Sequence, residues 1–395
     1  MNSPARATMA FAYPFRIFFL LTGAYALLLI LGWILFLFAA GPLPVGWAPM
    51  QWHSHEMIYG FVTAAIAGFV LTAMTNWTGA PPLVGWRLML LVLLWLAGRI
   101  VMWLAGWLPG WLVAVVDLAF LPVLAGYVTK VLLAHNNRRN LILVAVLLLL
   151  WSGNLVMHIG LVSGKTGFLQ AGQLLGLDLI SALIVIVAGR ITPAFTANWL
   201  AKNGRNPAEV KRVQWVEIGA LASIFALMLA DILPVPAALV AGLALLAATF
   251  NAWRLVMWRG WLTVKEPLLW ILHLAYLWLV LALLLRGVSL LSPSVPATLW
   301  QHALGLGAIA TLILGVMTRV SLGHTGRPLK LVRFGIWIYV AITLATVLRI
   351  MVPLGVINFH FGILAASAAW MVAFTFFLIL YTPVLLRPRA DGRPG

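Results

Sequence analysis

The chain has 395 residues, of which 64% are hydrophobic and only 8% charged, with 20 Trp and 19 Phe. Too few polar side chains remain to cover a water-exposed surface, so lipid is the expected solvent and a soluble enzyme is excluded. The net charge of +17 is spread between apolar runs rather than along one face, which argues for topology signals and against nucleic-acid binding. The absence of cysteine excludes disulfides, thiolate metal sites, iron–sulfur clusters and a cysteine nucleophile.

A bilayer core of about 30 Å takes roughly 20 apolar residues as helix. On that ruler the sequence predicts an all-α, polytopic bundle of twelve transmembrane helices forming one domain over 1–395. The spans are 15–40, 53–75, 86–106, 110–134, 140–162, 168–190, 213–232, 236–258, 267–290, 298–320, 332–353 and 358–385. The first apolar run reads as a retained helix rather than a signal peptide. Pro234 and Pro236 separate the seventh span from the eighth. One sizeable loop is expected, Pro193 to Arg212, and no internal repeat is evident.

Basic residues mark the N-terminus (Arg6, Arg16) and the even-numbered connections: Arg87; Lys130, Arg138 and Arg139; Arg190 to Arg212; Arg254, Arg259 and Lys265; Arg319, Arg327, Lys330 and Arg333; and finally Arg387, Arg389 and Arg393. The odd-numbered connections carry little beyond Lys165, Arg286 and Arg349. The positive-inside rule then predicts both termini in the cytoplasm, with the Trp- and Pro-rich turn Gly41 to Gln51 on the exterior.

Ionisable groups within lipid are costly unless paired, hydrated or ligated, so they are where function is sought. Of eight histidines, His53, His55, His158, His302 and His360 fall on the predicted exterior side. His135 and His324 fall on the other, and His273 lies about two turns inside the ninth helix. Imidazole is the commonest metal ligand, binds haem iron axially and suits copper. His53, His55, His158 and His302 are therefore the expected ligands, with His360 and His273 as further candidates. In Trp52-His53-Ser54-His55-Glu56-Met57, helical spacing places His53 and Glu56 on one face, and Glu56 is the candidate catalytic or ligating acid. Arg99 and Asp117 lie at similar depth, and either form an ion pair or leave Arg99 for a haem propionate and Asp117 or Asp178 for proton delivery. Arg319, His324 and Arg327 could hold an anion, although a glycine-capped helix end explains much of that segment. No phosphate-binding loop, dinucleotide fold or HExxH site appears.

Several motifs resemble the NnrS family. They are Trp52 to Phe61, Gly68 to Ala73, Asn76-Trp77-Thr78-Gly79, Leu94 to Arg99, Thr318-Arg319-Val320-Ser321-Leu322-Gly323-His324-Thr325-Gly326-Arg327, and Pro388-Arg389-Ala390-Asp391-Gly392. The resemblance implies a twelve-helix protein of the bacterial inner membrane associated with haem and copper, linked to denitrification and to tolerance of nitric oxide and nitrosative stress. It carries no residue-level ligand assignment. The expected function is haem- and copper-dependent binding or turnover of nitric oxide, with the electron donor unspecified. The alternatives are a carrier of copper or haem, and a sensory or assembly protein without turnover.

Overall fold

A computed structural model describes residues 9–38 and 45–393. Arg6, the last two residues of the first predicted span and the Gly41–Pro44 part of the exterior turn lie outside the described residues. Among the described residues there are twelve long helices and no strand. They are α1 (Pro14–Phe38), α2 (Pro49–Thr78), α3 (Gly85–Trp103), α4 (Gly110–Ala134), α5 (Leu141–Ser163), α6 (Thr166–Lys202), α7 (Gln214–Ile232), α8 (Ala237–Met257), α9 (Pro267–Leu291), α10 (Thr298–His324), α11 (Ile336–Met351) and α12 (Phe359–Leu385). Eleven are long and apolar enough to cross a bilayer, and α11 is a shorter apolar helix of 16 residues. Large apolar side chains such as Leu31 and Leu35 of α1, Leu90 and Leu93 of α3, and Ile379 of α12 stay exposed, as lipid-facing groups must. This is a multi-pass membrane protein.

The helices group into two compact units. The first comprises residues 1–176, 320–328 and 377–395, and the second comprises residues 177–319 and 329–376. In the first, α1 packs along α2, and α4 packs against α3 and α5. In the second, α8 packs against both α7 and α9, while α10 packs against α9 and α11.

Three expectations are corrected. The loop predicted at Pro193–Arg212 is helical as far as Lys202, with Pro193 inside α6. Proline removes one helical hydrogen bond and crowds the carbonyl four residues back. Here that residue is Gly189, and Thr196 returns a hydrogen bond to the Thr192 carbonyl at 2.8 Å. Arg254 and Arg286, counted as residues of the connections, are buried within α8 and α9. Arg254 binds Glu217 through Nε at 3.0 Å and Nη2 at 2.5 Å, together with the Val185 carbonyl and the Tyr276 hydroxyl. These are internal ion pairs, not orientation signals.

The third correction concerns repetition. With the helices in hand, α2 and α10 follow one register. His55, Gly60, Gly68 and Thr78-Gly79 correspond to His302, Gly307, Gly315 and Thr325-Gly326. Both helices widen to π geometry directly after the histidine, over Glu56–Phe61 and Ala303–Ala310. Gly79 and Gly326 adopt left-handed backbone, with φ of 71° and 68°. In the following helices, Arg99-Ile100 of α3 matches Arg349-Ile350 of α11. Substitution at most other positions hides this repeat from a plain reading.

The Thr318–Arg327 motif and the Pro388–Gly392 motif meet. Arg389 donates to the His324 carbonyl at 2.8 Å, the Ala390 N–H donates to the Thr325 carbonyl at 2.9 Å, and the Arg389 fork grips Asp391 at 2.9 and 2.5 Å. That guanidinium lowers the Asp391 carboxyl to about 2. Arg16 of α1 donates to the Leu385 and Arg387 carbonyls at 2.5 and 2.9 Å, satisfying the C-terminal end of α12. A Cβ on Gly326 would collide with the Asp391 carboxylate, whereas one on Gly79 meets nothing within 4 Å. Both alanine variants force an L-residue into left-handed backbone, at about 1–2 kcal/mol. Gly326→Ala should therefore lower the melting temperature in detergent more than Gly79→Ala, by the added loss of the C-terminal strap; equal melting temperatures would show that the strap contributes nothing.

Candidate functional site

The densest polar cluster of the first unit starts from the π turn of α2. That turn replaces ordinary helical bonds with a wider spacing, as in the Val62 N–H to Met57 carbonyl bond, and frees carbonyls that need other donors. Trp95 Nε1 of α3 donates to the Gly60 carbonyl at 3.1 Å, and the Thr63 hydroxyl lies 2.6 Å from the Tyr59 carbonyl and 3.0 Å from that of Gly60. Gly60 has no room for a side chain. A Cβ there would lie 2.7 Å from Arg99 Nη1 and 3.1 Å from Glu56 Oε2.

Into this space Arg99 of α3 projects between two buried carboxylates, binding Glu56 through Nη1 and Asp117 of α4 through Nη2. The Tyr25 hydroxyl of α1 donates to Glu56 Oε2, and Trp103 Nε1 donates to the Tyr25 oxygen at 3.1 Å. His55 is fully buried beside them. Its Nδ1 lies 2.9 Å from Glu56 Oε1, and its Nε2 lies 2.7 Å from Asn154 Oδ1 and 3.2 Å from Asp117 Oδ2. His158, one turn beyond Asn154 on α5, brings Nε2 to 2.9 Å from the same Asp117 oxygen, and Asn154 Nδ2 donates to it at 2.7 Å. His158 Nδ1 is buried with no hydrogen-bond partner among the described residues. Trp47 closes the cluster, its ring 5.0 Å from that of His55 and 5.4 Å from that of His158.

Two carboxylates surround one guanidinium, which leaves one negative charge in excess in a medium that tolerates none unbalanced. One ligand atom from each of His55, Asp117 and His158 lies within 4.8 Å of the others, the one such group among the described residues. Two imidazoles and a carboxylate suit a divalent first-row ion such as copper, iron or zinc. Glu56, on the second nitrogen of His55, is placed to orient that imidazole and raise its basicity. The donor set thus fits a mononuclear metal.

The remaining expected residues are distributed as follows. His53 and Glu56 do not share a task. The ring of His53 stacks on Trp33 at 4.3 Å, and it is His55 that meets Glu56, because the π turn starting at Glu56 shifts the angular register of the helix. Arg99 is taken up by its two carboxylates, so the expected ion pair with Asp117 is present together with a second to Glu56. Asp178 belongs to the second unit, where it binds Arg286. His273, also there, bonds through Nε2 to the Thr196 hydroxyl at 2.9 Å and packs against Gly260 and Trp258; no carboxylate or second histidine joins it in a metal-type group among the described residues. His302 donates Nδ1–H to the Thr298 carbonyl at 2.7 Å. His360 lies exposed in the first turn of α12, where Asn358 Oδ1 accepts its backbone N–H at 2.9 Å. Arg319 covers the Phe195 ring at 4.1 Å, His324 packs on Phe15 and Tyr13, and Arg327 donates to the Thr325 carbonyl at 3.3 Å, so each has a local structural contact.

For a propionate-bearing macrocycle the fitting residues lie in the second unit. His302 opens α10 and Arg349 ends α11, which packs against α10. Arg349 is the counterpart of Arg99 in the shared Arg-Ile pair, three residues out of the α2–α10 register, yet makes no ion pair to a carboxylate among the described residues. An imidazole and an unneutralised guanidinium near one end of adjacent helices match an axial ligand and an anionic group in chemistry.

Sequence reasoning missed Tyr25, Trp47, Trp95 and Asn154. Asn154 and Trp95 left a signal, since they stand four residues before His158 and Arg99 and so share their helical faces.

Removing Arg99 would strand two buried carboxylates, at about 3–5 kcal/mol. Arg99→Ala should cut the yield of monodisperse protein severely, and the double variant with Glu56→Gln should recover part of it. No recovery would mean that charge balance is not what Arg99 supplies.

Comparison with curated proteins gives no significant match. The family model described as NnrS protein matches residues 9–389, nearly the whole length, and the chain belongs to the NnrS family.

Proposed function

We propose that this chain is a metal-dependent protein of the bacterial inner membrane acting in the response to nitric oxide, with copper held by His55, Asp117 and His158. The observation that carries the reading is the convergence of those three donors on one buried point of the first unit, beside an unbalanced pair of carboxylates. Haem is proposed for the second unit, where His302 and Arg349 would hold it and it would supply nitric oxide binding. Both assignments accord with what the family resemblance implies, and nitric oxide, small, neutral and lipid-soluble, needs no polar channel to arrive.

Bound copper and haem would supply the nitric oxide affinity and one-electron chemistry that side chains lack. The residues do the rest. Glu56 fixes the His55 ring through Nδ1, and Nε2, which faces Asn154 Oδ1 and Asp117 Oδ2, is the nitrogen that would turn to the metal. Asn154 holds the Asp117 oxygen from the opposite side, and Trp47 keeps water from both imidazoles. Tyr25 and Glu56 form a buried hydrogen-bonded pair in which a proton can pass between phenol and carboxylate oxygens.

Purified protein should contain near-stoichiometric copper, lost in His55→Ala and in His158→Ala while helical content is kept. Glu56→Gln should weaken copper binding roughly 10–100-fold, the usual effect of losing a group that orients a ligand. Haem should be lost in His302→Ala and weakened in Arg349→Gln, read as the Soret band of the dithionite-reduced protein and its shift with nitric oxide. Copper and haem unchanged in all five variants would overturn the assignment. Substoichiometric, exchangeable metal with flux into proteoliposomes would favour a carrier instead.

A further inference from the structure

A second carboxylate–guanidinium–carboxylate triad lies in the second unit, and neither copper nor haem uses it. Arg286 of α9 donates Nη1 to Asp178 Oδ1 of α6 at 2.5 Å, and Nη2 to Asp231 Oδ2 of α7. The guanidinium sits 4.7 Å over the Trp300 ring of α10, a contact that favours its charged form. Asp178 is 3% exposed, and its Oδ2 is buried with no hydrogen-bond partner among the described residues.

Charge counting decides what this oxygen does. Two carboxylates against one guanidinium leave a net negative charge inside the bundle. No histidine, lysine or further arginine makes an ion pair with the triad among the described residues. In the first unit the equivalent excess is met by imidazoles that can hold a cation; the second triad has none. An ionised Asp178 would also leave one carboxylate oxygen buried without a donor, a position of high cost.

We propose that this triad is a proton-binding site, with the proton carried on Asp178 Oδ2. The neutral acid balances the triad, and Asp178 and Arg286 remain bonded through Oδ1. Asp231 stands one residue before the end of α7 and its side chain is the less buried of the two, at 10% against 5%. It is the carboxylate nearer the aqueous end of its helix, and so the one through which Asp178 exchanges its proton with water. Binding is a plain protonation: Asp178 takes a proton and loses its negative charge, and no electron moves.

The test is infrared spectroscopy of the full-length, metal-free protein in lipid nanodiscs at neutral pH, with aspartate isotope-labelled at the side-chain carboxyl. The labelled positions are Asp117, Asp178, Asp231 and Asp391. The wild type should show a label-shifted carbonyl band of a protonated carboxylic acid that moves again in deuterium oxide. Asp178→Asn, isosteric with the neutral acid, should fold normally and lose the band. Asp231→Asn should also lose it, because one carboxylate then suffices for Arg286 and Asp178 ionises. A wild type with only carboxylate bands overturns the proposal whether or not the variants fold, as does a band that survives Asp178→Asn. Because the protein is metal-free, failure here leaves the copper and haem reading untouched.

Discussion

A guanidinium flanked by two carboxylates inside a lipid-facing bundle is the constraint on which the rest of this protein turns. Arg99 with Glu56 and Asp117 fixes α2, α3 and α4 at one depth, and Arg286 with Asp178 and Asp231 does the same for α6, α7 and α9. Such a triad is short of one positive charge, and low dielectric makes that deficit expensive. In the first unit the deficit faces two imidazoles that share an oxygen of Asp117. In the second it faces an orphaned oxygen of Asp178. The same physical demand is thus met by a metal-type donor set in one place and by a proton-type site in the other.

The backbone makes the first arrangement possible. A regular helix through Glu56–Phe61 would bond its own carbonyls; the π turn releases them to Thr63 and Trp95 and sets His55 beside Glu56. Gly60 leaves the gap through which Arg99 reaches both acids. The matching π turn and glycine of α10 meet the Trp278 ring instead, and Ala303 stands where Glu56 does in the repeat, so that helix keeps the histidine without the acid. Divergence of the repeats accounts for one region rich in carboxylate and another in which Arg349 lacks one.

Much of the architecture was legible in the sequence because runs of apolar residues have a fixed length in lipid. Twelve helices follow from that ruler, and the Pro234–Pro236 break falls where α7 gives way to α8. Pro193 misled because a proline costs a helix one hydrogen bond and a crowded carbonyl without having to end it, and α6 continues through it to Lys202. Arg254 and Arg286 misled because the positive-inside rule counts charge without knowing whether a carboxylate on another helix neutralises it. Depth alone brought His55, Glu56, Arg99, Asp117 and His158 to attention. It could not tell that His53 stacks on Trp33, nor that Tyr25 and Trp47, a phenol and an indole among many apolar aromatics, complete the cluster. Those contacts join residues remote in sequence and leave no local pattern.

The most direct test of the metal centre is pulsed electron paramagnetic resonance of the copper(II)-loaded, full-length protein with nitrogen-isotope-labelled histidine. The account predicts couplings from two imidazoles, falling to one in His158→Ala with the copper still bound under excess metal. A spectrum without imidazole coupling, or one unchanged by loss of His158, would contradict it.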